Sequence, residues 1–213
     1  MDRYLRKLIL EGEGRKLDFK YCISDSRKIA RTLSAFANTD GGKLLIGVRD
    51  NGSIAGVRSD EEYYMIETAS KLFCKPEIPV TIRQHTAEGK TVLEVDVARG
   101  EEKPYTARGE DGRWKAYFRQ NDQNLVANRI MLRLWKKMNR STGILIRFGT
   151  PEHKLLDYLK ENESITLTGF RKLAGIPMYR AEKIIVNLLL CNVIRMTASE
   201  KGFSYSLNPV SQS

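Results

Sequence analysis

Cysteine and histidine are scarce in this sequence. Its 213 residues include three cysteines, Cys22, Cys74 and Cys191, and two histidines, His85 and His153. The cysteines are odd in number, far apart and form no Cys-x-x-Cys pair. That pattern argues against a disulfide scaffold or a zinc site and for a reducing compartment, so we expect a cytoplasmic protein. Neither histidine has a nucleophile partner visible in the sequence, so no hydrolase triad is expected. Long apolar runs are missing as well. None approaches the ~18 residues of a membrane span. The opening Met1–Lys7 scatters charges where a secretory leader needs an apolar stretch. No membrane partner is expected. Internal repeats and low-complexity tracts are also lacking. What remains is 41% hydrophobic and 29% charged, a composition that buries a core without covalent staples. The length suits one ordinary domain plus a small one, or one large domain.

Acidic residues are outnumbered. Lysine and arginine number 36 against 26 aspartates and glutamates, for a net charge of +10. Such a surplus favours anionic partners: nucleic acid, acidic protein or a membrane surface. It is unevenly spread, since Gln123 to Pro151 holds six basic residues and no acid. The stretch from about Gln123 to Met138 reads as a helix, capped by Asn121 or Asp122. Its apolar stripe is Val126, Ile130, Met131, Leu134, Trp135 and Met138. Arg129, Arg133, Lys136, Lys137 and Arg140 form the opposite stripe. Cations on one face can neutralise phosphates with little sequence preference.

Upstream, Leu17 and Phe19 alternate with Asp18 and Lys20 as in a strand. Ser24 to Asn38 reads as a helix, capped by Ser24 or Ser26 and stopped at Asn38-Thr39-Asp40-Gly41-Gly42. Lys43–Val48 is a short apolar strand. Asp50-Asn51-Gly52 signals a hairpin turn, with Ser53–Val57 as the return strand. Asp60–Phe73 reads as a helix. Residues 78–82 and 93–97 alternate as half-buried strands, 100–112 reads as a charged loop, and Trp114–Arg119 as another strand. The sum is an α/β (α+β) arrangement with a mixed, largely antiparallel sheet. Trp114 and Trp135 are expected in cores. Gly41-Gly42-Lys43-Leu44 lacks Walker A spacing, so no ATP use is expected.

Arg31 to Gly52, with Ala35-Phe36-Ala37-Asn38-Thr39-Asp40-Gly41-Gly42 at its centre and Leu45-Ile46-Gly47-Val48 after it, resembles the Schlafen AlbA-type domain. Gly12 to Lys20 resembles that family's opening motif. Lys103-Pro104-Tyr105 and Tyr117-Phe118-Arg119 resemble its later landmarks. The resemblance covers roughly residues 8–135 and implies a compact α/β nucleic-acid-binding fold. Bacterial members often carry a C-terminal winged helix and are described as DNA-binding regulators, while some Schlafens cleave RNA with a metal-dependent acidic triad. The matching positions here are Glu13, Asp18 and Asp50, with Lys20 on the strand face of Asp18. Asp18 stands where a glutamate is usual, and Asn121 where many members have glycine. Three carboxylates on one face would suit Mg²⁺ or Mn²⁺, but the zinc site and paired second lobe of Schlafen nucleases are not visible. We expect no cofactor unless this nuclease reading holds.

Residues 151–213 carry eight basic and six acidic residues. Their pattern is helix, strand, helix, turn, helix and hairpin, the order of a winged helix-turn-helix. Arg180, Lys183 and Asn187 share a stripe of the third helix, and Arg180 and Asn187 carry groups able to read guanine and adenine edges. Arg171 and Lys172 are placed to touch phosphate, and Tyr179 could reach one. The expected organisation is an AlbA-type domain over 1–140, a linker over 141–150 and a winged helix over 151–213. The expected function is nucleic-acid binding, as a DNA-binding transcriptional regulator. A metal-dependent ribonuclease acting on structured RNA is the alternative. The expected partners are DNA, RNA as the second choice, and a second copy in a homodimer.

Overall fold

The computed structural model describes residues 3–139, 148–199 and 202–209. Arg140, Arg147 and residues 141–147 of the expected linker lie outside them. The chain divides into two compact units, 1–127 and 128–213.

The first unit is mixed α/β. Its elements are α1 (Arg3–Glu11), β1 (Leu17–Lys20), α2 (Ser26–Asn38), β2 (Gly42–Ile46), α3 (Glu61–Leu72), β3 (Cys74–Lys75), β4 (Val80–Ala87), β5 (Lys90–Val97), β6 (Thr106–Arg108), β7 (Trp114–Gln120) and β8 (Gln123–Val126). One sheet runs β1-β2-β5-β4 and a second β3-β6-β7-β8. Only β1 and β2 pair in parallel; the remaining pairs are antiparallel.

α2 is buried around most of its circumference, with polar Thr32, Ser34 and Asn38 among its buried residues. Ile29, Leu33 and Phe36 pack with Leu44, Ile46, Ile66 and Val95. Asp25, rather than a serine, caps it, accepting from the Arg27 amide at 2.8 Å. Its last turn carries polar side chains inward. Buried Asn38 donates to the carbonyls of Tyr105 at 2.7 Å and Tyr117 at 2.8 Å, and accepts from the Tyr105 amide at 2.8 Å. This asparagine therefore satisfies backbone groups that would otherwise be buried without partners. Gly41 (φ +74°) ends the turn where a Cβ would meet the Val97 carbonyl at 2.7 Å.

A second apolar cluster lies under α1, where Leu5 packs with Phe19, Leu45 and Val92. α1 was not anticipated, and it changes the reading of β5. The alternation of Leu93, Val95 and Val97 suggested a strand with one wet face. Instead Leu93 to Val95 are buried without a break, and Glu94 is 0% exposed.

Four further expectations are corrected. Gln123–Val126 is a strand paired with β7, not helix. Asn121 (φ +54°) takes the left-handed conformation of a tight hairpin turn. The return strand over 53–57 reduces to a single bridge, Val48–Ile54, because Gly47 and Gly56 cross at close range. Trp114 is 42% exposed at the start of β7, whereas Trp135 is buried.

The second unit contains α4 (Arg129–Met138), α5 (Thr150–Glu161), β9 (Ile165–Thr166), α6 (Leu167–Ala174), α7 (Met178–Leu190), β10 (Ile194–Ser199) and β11 (Gly202–Leu207). Asn128 caps α4 by accepting from the Met131 amide at 2.8 Å. Ile130 of α4 shares a core with Leu155, Phe170, Ile185 and Tyr205. The basic helix is thus built into the second unit, not into the first as its position before the linker suggested. Thr166 caps α6, and Gly175 (φ +65°) ends it in the left-handed conformation. The three-stranded sheet runs β10-β11-β9. No described helix is long and apolar enough to cross a membrane.

Candidate nucleic-acid interface

In the first unit, β1 and the segment before it bring Glu13, Asp18 and Lys20 together. The Phe19 amide donates to Glu13 Oε1 at 2.8 Å. Lys20 Nζ donates to Asp18 Oδ1 at 3.1 Å and to the Phe19 carbonyl at 2.7 Å. The other carboxylate oxygen of Asp18 lies 3.4 Å from Arg119 Nη1 and 3.5 Å from Thr32 Oγ1. Burial pushes the Glu13 carboxyl up, and the hydrogen-bonded Asp18 carboxylate adds to this. Burial opposes ionisation of Asp18 too, but the Glu13 hydrogen bond and the charges of Lys20 and Arg119 hold it below the usual range.

Arg119 is the residue sequence reading missed. Its strand position left open which way it faces, and it is 2% exposed. Nε donates to the Gly14 carbonyl at 3.0 Å, Nη2 to the Leu17 carbonyl at 3.1 Å and Nη1 to Asn124 Oδ1 at 3.0 Å. Its guanidinium also lies 5.2 Å from the centre of the Phe36 ring. It clamps the chain before and within β1 from behind the carboxylates.

Asp50 does not join them as a ligand group. It is exposed in the turn after β2. Among the described residues no group of three or more His, Cys, Asp or Glu side chains is placed to hold a metal ion. Asp18 already faces two cations. The set as it stands does not fit a resident Mg²⁺ or Mn²⁺, which needs several free oxygen ligands.

The loop at Asn38–Gly42 offers little to a phosphate. The amides of Thr39 and Gly41 both donate to the Phe36 carbonyl at 3.0 Å, and that of Lys43 to the Lys16 carbonyl at 2.8 Å.

A second polar group surrounds Glu94 under α1. Lys43 Nζ donates to Glu94 Oε1 at 2.7 Å and Tyr4 Oη to the same atom at 3.0 Å; His85 Nε2 lies 2.8 Å from Oε2. Arg83 and Asp96 complete the set. Burial opposes the charge on Glu94, yet Lys43, His85 and Tyr4 hold its carboxyl below the usual range. A lowered carboxyl contributes stability that is present above the ordinary glutamate value, about 4.3, and is lost as pH falls through the folded value. Glu94→Gln is expected to lower stability by about 2 kcal/mol at pH 7. In urea titrations the gap from wild type should narrow as the pH falls below about 5. An unchanged gap at pH 4 would show that the carboxylate charge is not what stabilises.

In the second unit the predicted cations divide into two sets. Glu182 of α7 is 4% exposed. Arg133 Nη1 meets its Oε2 at 2.5 Å and Arg129 Nη1 its Oε1 at 3.5 Å. Lys137 Nζ donates to Asn187 Oδ1 at 2.8 Å. Arg129, Arg133, Lys137 and Asn187 therefore join α4 to α7, and Asn187 spends its acceptor there. Lys136, Arg180 and Lys183 are exposed, as is Tyr179. On α6, Lys172 is exposed and Arg171 half-buried, its Nε without a hydrogen-bond partner. Between α4 and α7 lies a cleft of about 380 Å³, lined by Arg133, Lys136, Lys137, Lys183, Tyr179 and Val186. Its cationic rim and apolar floor suit a phosphate with a planar or apolar group attached. Glu182 was the signal available in the sequence, as the only acid of a helix that faces a basic stripe.

No curated protein matches this chain. Among the solved structures that resemble it in part, two show the extent of the likeness. One is the DIP2311 protein from Corynebacterium diphtheriae, 20% identical, with TM-score 0.44, over 60% of this chain and 28% of that one. The other is the N-terminal domain of a RecG-related protein from Nitrosomonas europaea, 22% identical, with TM-score 0.40, over 59% of this chain and 95% of that one. The chain thus spans little more than a quarter of the first. The family model described as Schlafen, AlbA_2 matches residues 13–128, more than half of the sequence and nearly all of the first unit, and the chain belongs to that family.

Proposed function

We propose that this is a nucleic-acid-binding protein that acts as a DNA-binding transcriptional regulator. The observation that carries the reading is the cation-lined cleft between α4 and α7, with Lys136, Lys183, Arg180 and Tyr179 exposed around it. Family membership supports a nucleic-acid partner for the first unit. The order α5, β9, α6, α7, β10, β11 supports a winged helix in which α6 and α7 are the helix-turn-helix and β10–β11 the wing. The exposed first turns of α7 would enter the major groove, where Arg180 can read a guanine edge. A homodimer on repeated half-sites is the arrangement such modules commonly use.

The test is binding of a labelled duplex across a salt series, with a structured RNA run in parallel on a denaturing gel containing Mn²⁺. A duplex site selected from random sequence should bind at least a hundredfold more tightly than bulk duplex at 0.15 M salt, by the usual margin for specific readers of roughly 10³ or more. Equal affinity for every duplex would remove the regulator reading and leave a non-specific binder. Discrete RNA products lost in Asp18→Ala would replace it with the nuclease.

A further inference from the structure

Beyond the cleft in the second unit, the first unit carries a pair of arginines mounted on a tyrosine. The Arg49 guanidinium lies 5.0 Å from the centre of the Tyr21 ring, and that of Arg58 lies 5.2 Å from it. Arg58 Nη2 also donates to Tyr21 Oη at 2.9 Å. All three side chains are exposed. Among the described residues, no carboxylate lies within salt-bridge distance of either guanidinium. Two like charges held at one ring repel each other, and an anion between them relieves that repulsion.

The backbone beneath them is pinned. The Lys20 carbonyl, one residue before Tyr21, accepts from the amides of Gly47 at 2.8 Å and Val48 at 3.3 Å. The Gly47 carbonyl accepts from Ala55 at 2.8 Å and Gly56 at 2.9 Å. Gly52 donates to the Arg49 carbonyl at 2.8 Å, and Arg49 Nη1 to Ser53 Oγ at 3.4 Å. Three chain segments are thus tied together at the point where Tyr21, Arg49 and Arg58 emerge. Little backbone ordering would be left for a ligand to impose.

We propose that Tyr21, Arg49 and Arg58 form a phosphate-binding claw for the backbone of a nucleic-acid strand. The guanidiniums retain N–H donors beyond those spent on Ser53 and Tyr21. The Tyr21 hydroxyl, whose oxygen accepts from Arg58, keeps its own hydrogen to donate. On this assignment one tetrahedral anion accepts from all three groups. The Arg58 hydrogen bond also holds the Tyr21 phenol below its ordinary pKa, which makes it a better donor. This inference rests on the nucleic-acid reading above but places a contact in the other unit.

The test uses the full chain with Arg49→Gln/Arg58→Gln, and Tyr21→Phe as a milder variant. All three positions are at the surface, so the fold should survive. The first arm titrates inorganic phosphate and follows the Arg Nε–H signals by NMR. Saturable shifts at Arg49 and Arg58, weakened in Tyr21→Phe, are expected. The second arm measures a ten-nucleotide single strand in a Lys136→Glu/Lys183→Glu background, which removes the cleft of the second unit. The double glutamine variant should bind about tenfold more weakly near 0.1 M salt, with a salt slope shallower by about one phosphate contact. Phosphate shifts with unchanged strand affinity would mean a small-anion site and overturn the strand assignment. Absence of phosphate shifts would overturn the site. Loss of the duplex site preference alone would sink the regulator reading and leave both arms readable.

Discussion

Arg119→Met is expected to destabilise the first unit by about 3–5 kcal/mol, the cost of removing one partner from a buried charge pair. The methionine restores volume but none of the bonds. The Gly14 and Leu17 carbonyls and Asn124 Oδ1 each lose a donor, and Asp18 loses one of its two cations. Each buried acceptor left unmade costs about 1–3 kcal/mol, less what water recovers. In thermal unfolding the first transition should fall by roughly 10 °C or more. Arg119→Lys should recover little, because a single ammonium lacks the planar fork that spans Gly14, Leu17 and Asn124. A shift of only a degree or two in Arg119→Met would show that the guanidinium is dispensable and that Asp18 is held by Lys20 alone.

Lys136→Glu with Lys183→Glu is expected to weaken duplex binding by about a hundredfold at 0.1 M salt. Two phosphate contacts are lost and two repulsive charges gained, so the salt dependence should also flatten by about two contacts. These two lysines are the informative choice among the basic residues of the cleft. Both line it and both are exposed. Reversing Arg133 would set a second carboxylate against buried Glu182, and removing Lys137 would strip Asn187 of its bond. Either change would confuse folding with binding. Thermal stability of the lysine variant should stay within about 1 kcal/mol of wild type, as for most surface changes. Full affinity in this variant would remove the α4–α7 cleft from the function.

The Glu13–Asp18 pair and the Glu94 group share a design. Each centres on a carboxylate buried against a sheet and paired with nearby cations. In the first, the cations are Lys20 and Arg119. In the second, they are Lys43 and Arg83. Neither needs a ligand to be satisfied. Glu13 and Asp18, two of the three acidic positions matched to the nuclease motif, thus already have partners within this chain.

Local chemistry written in the sequence was enough for much of this protein. Net charge, the helix over 26–38 and its glycine stop, and the strand that follows are all consequences of neighbouring residues. So are α5, α6 and α7 of the second unit, because periodicity and positive-φ glycines act within a few residues, whereas the start and cap of α4 were misplaced. The motif around Ala35–Gly42 was legible for the same reason, although the task of Asn38 was not. What the tertiary structure alone decided is which polar residues face water. Alternation placed Glu94 on an outer face, but α1 arrives from the start of the chain to cover it. The sequence left the face of Arg119 open, and the chain before β1 folds across it. The basic stripe of α4 looked uniformly free until Glu182, some fifty residues on, claimed part of it. Periodicity reports that a residue has a side, and only long-range packing determines what lies on that side.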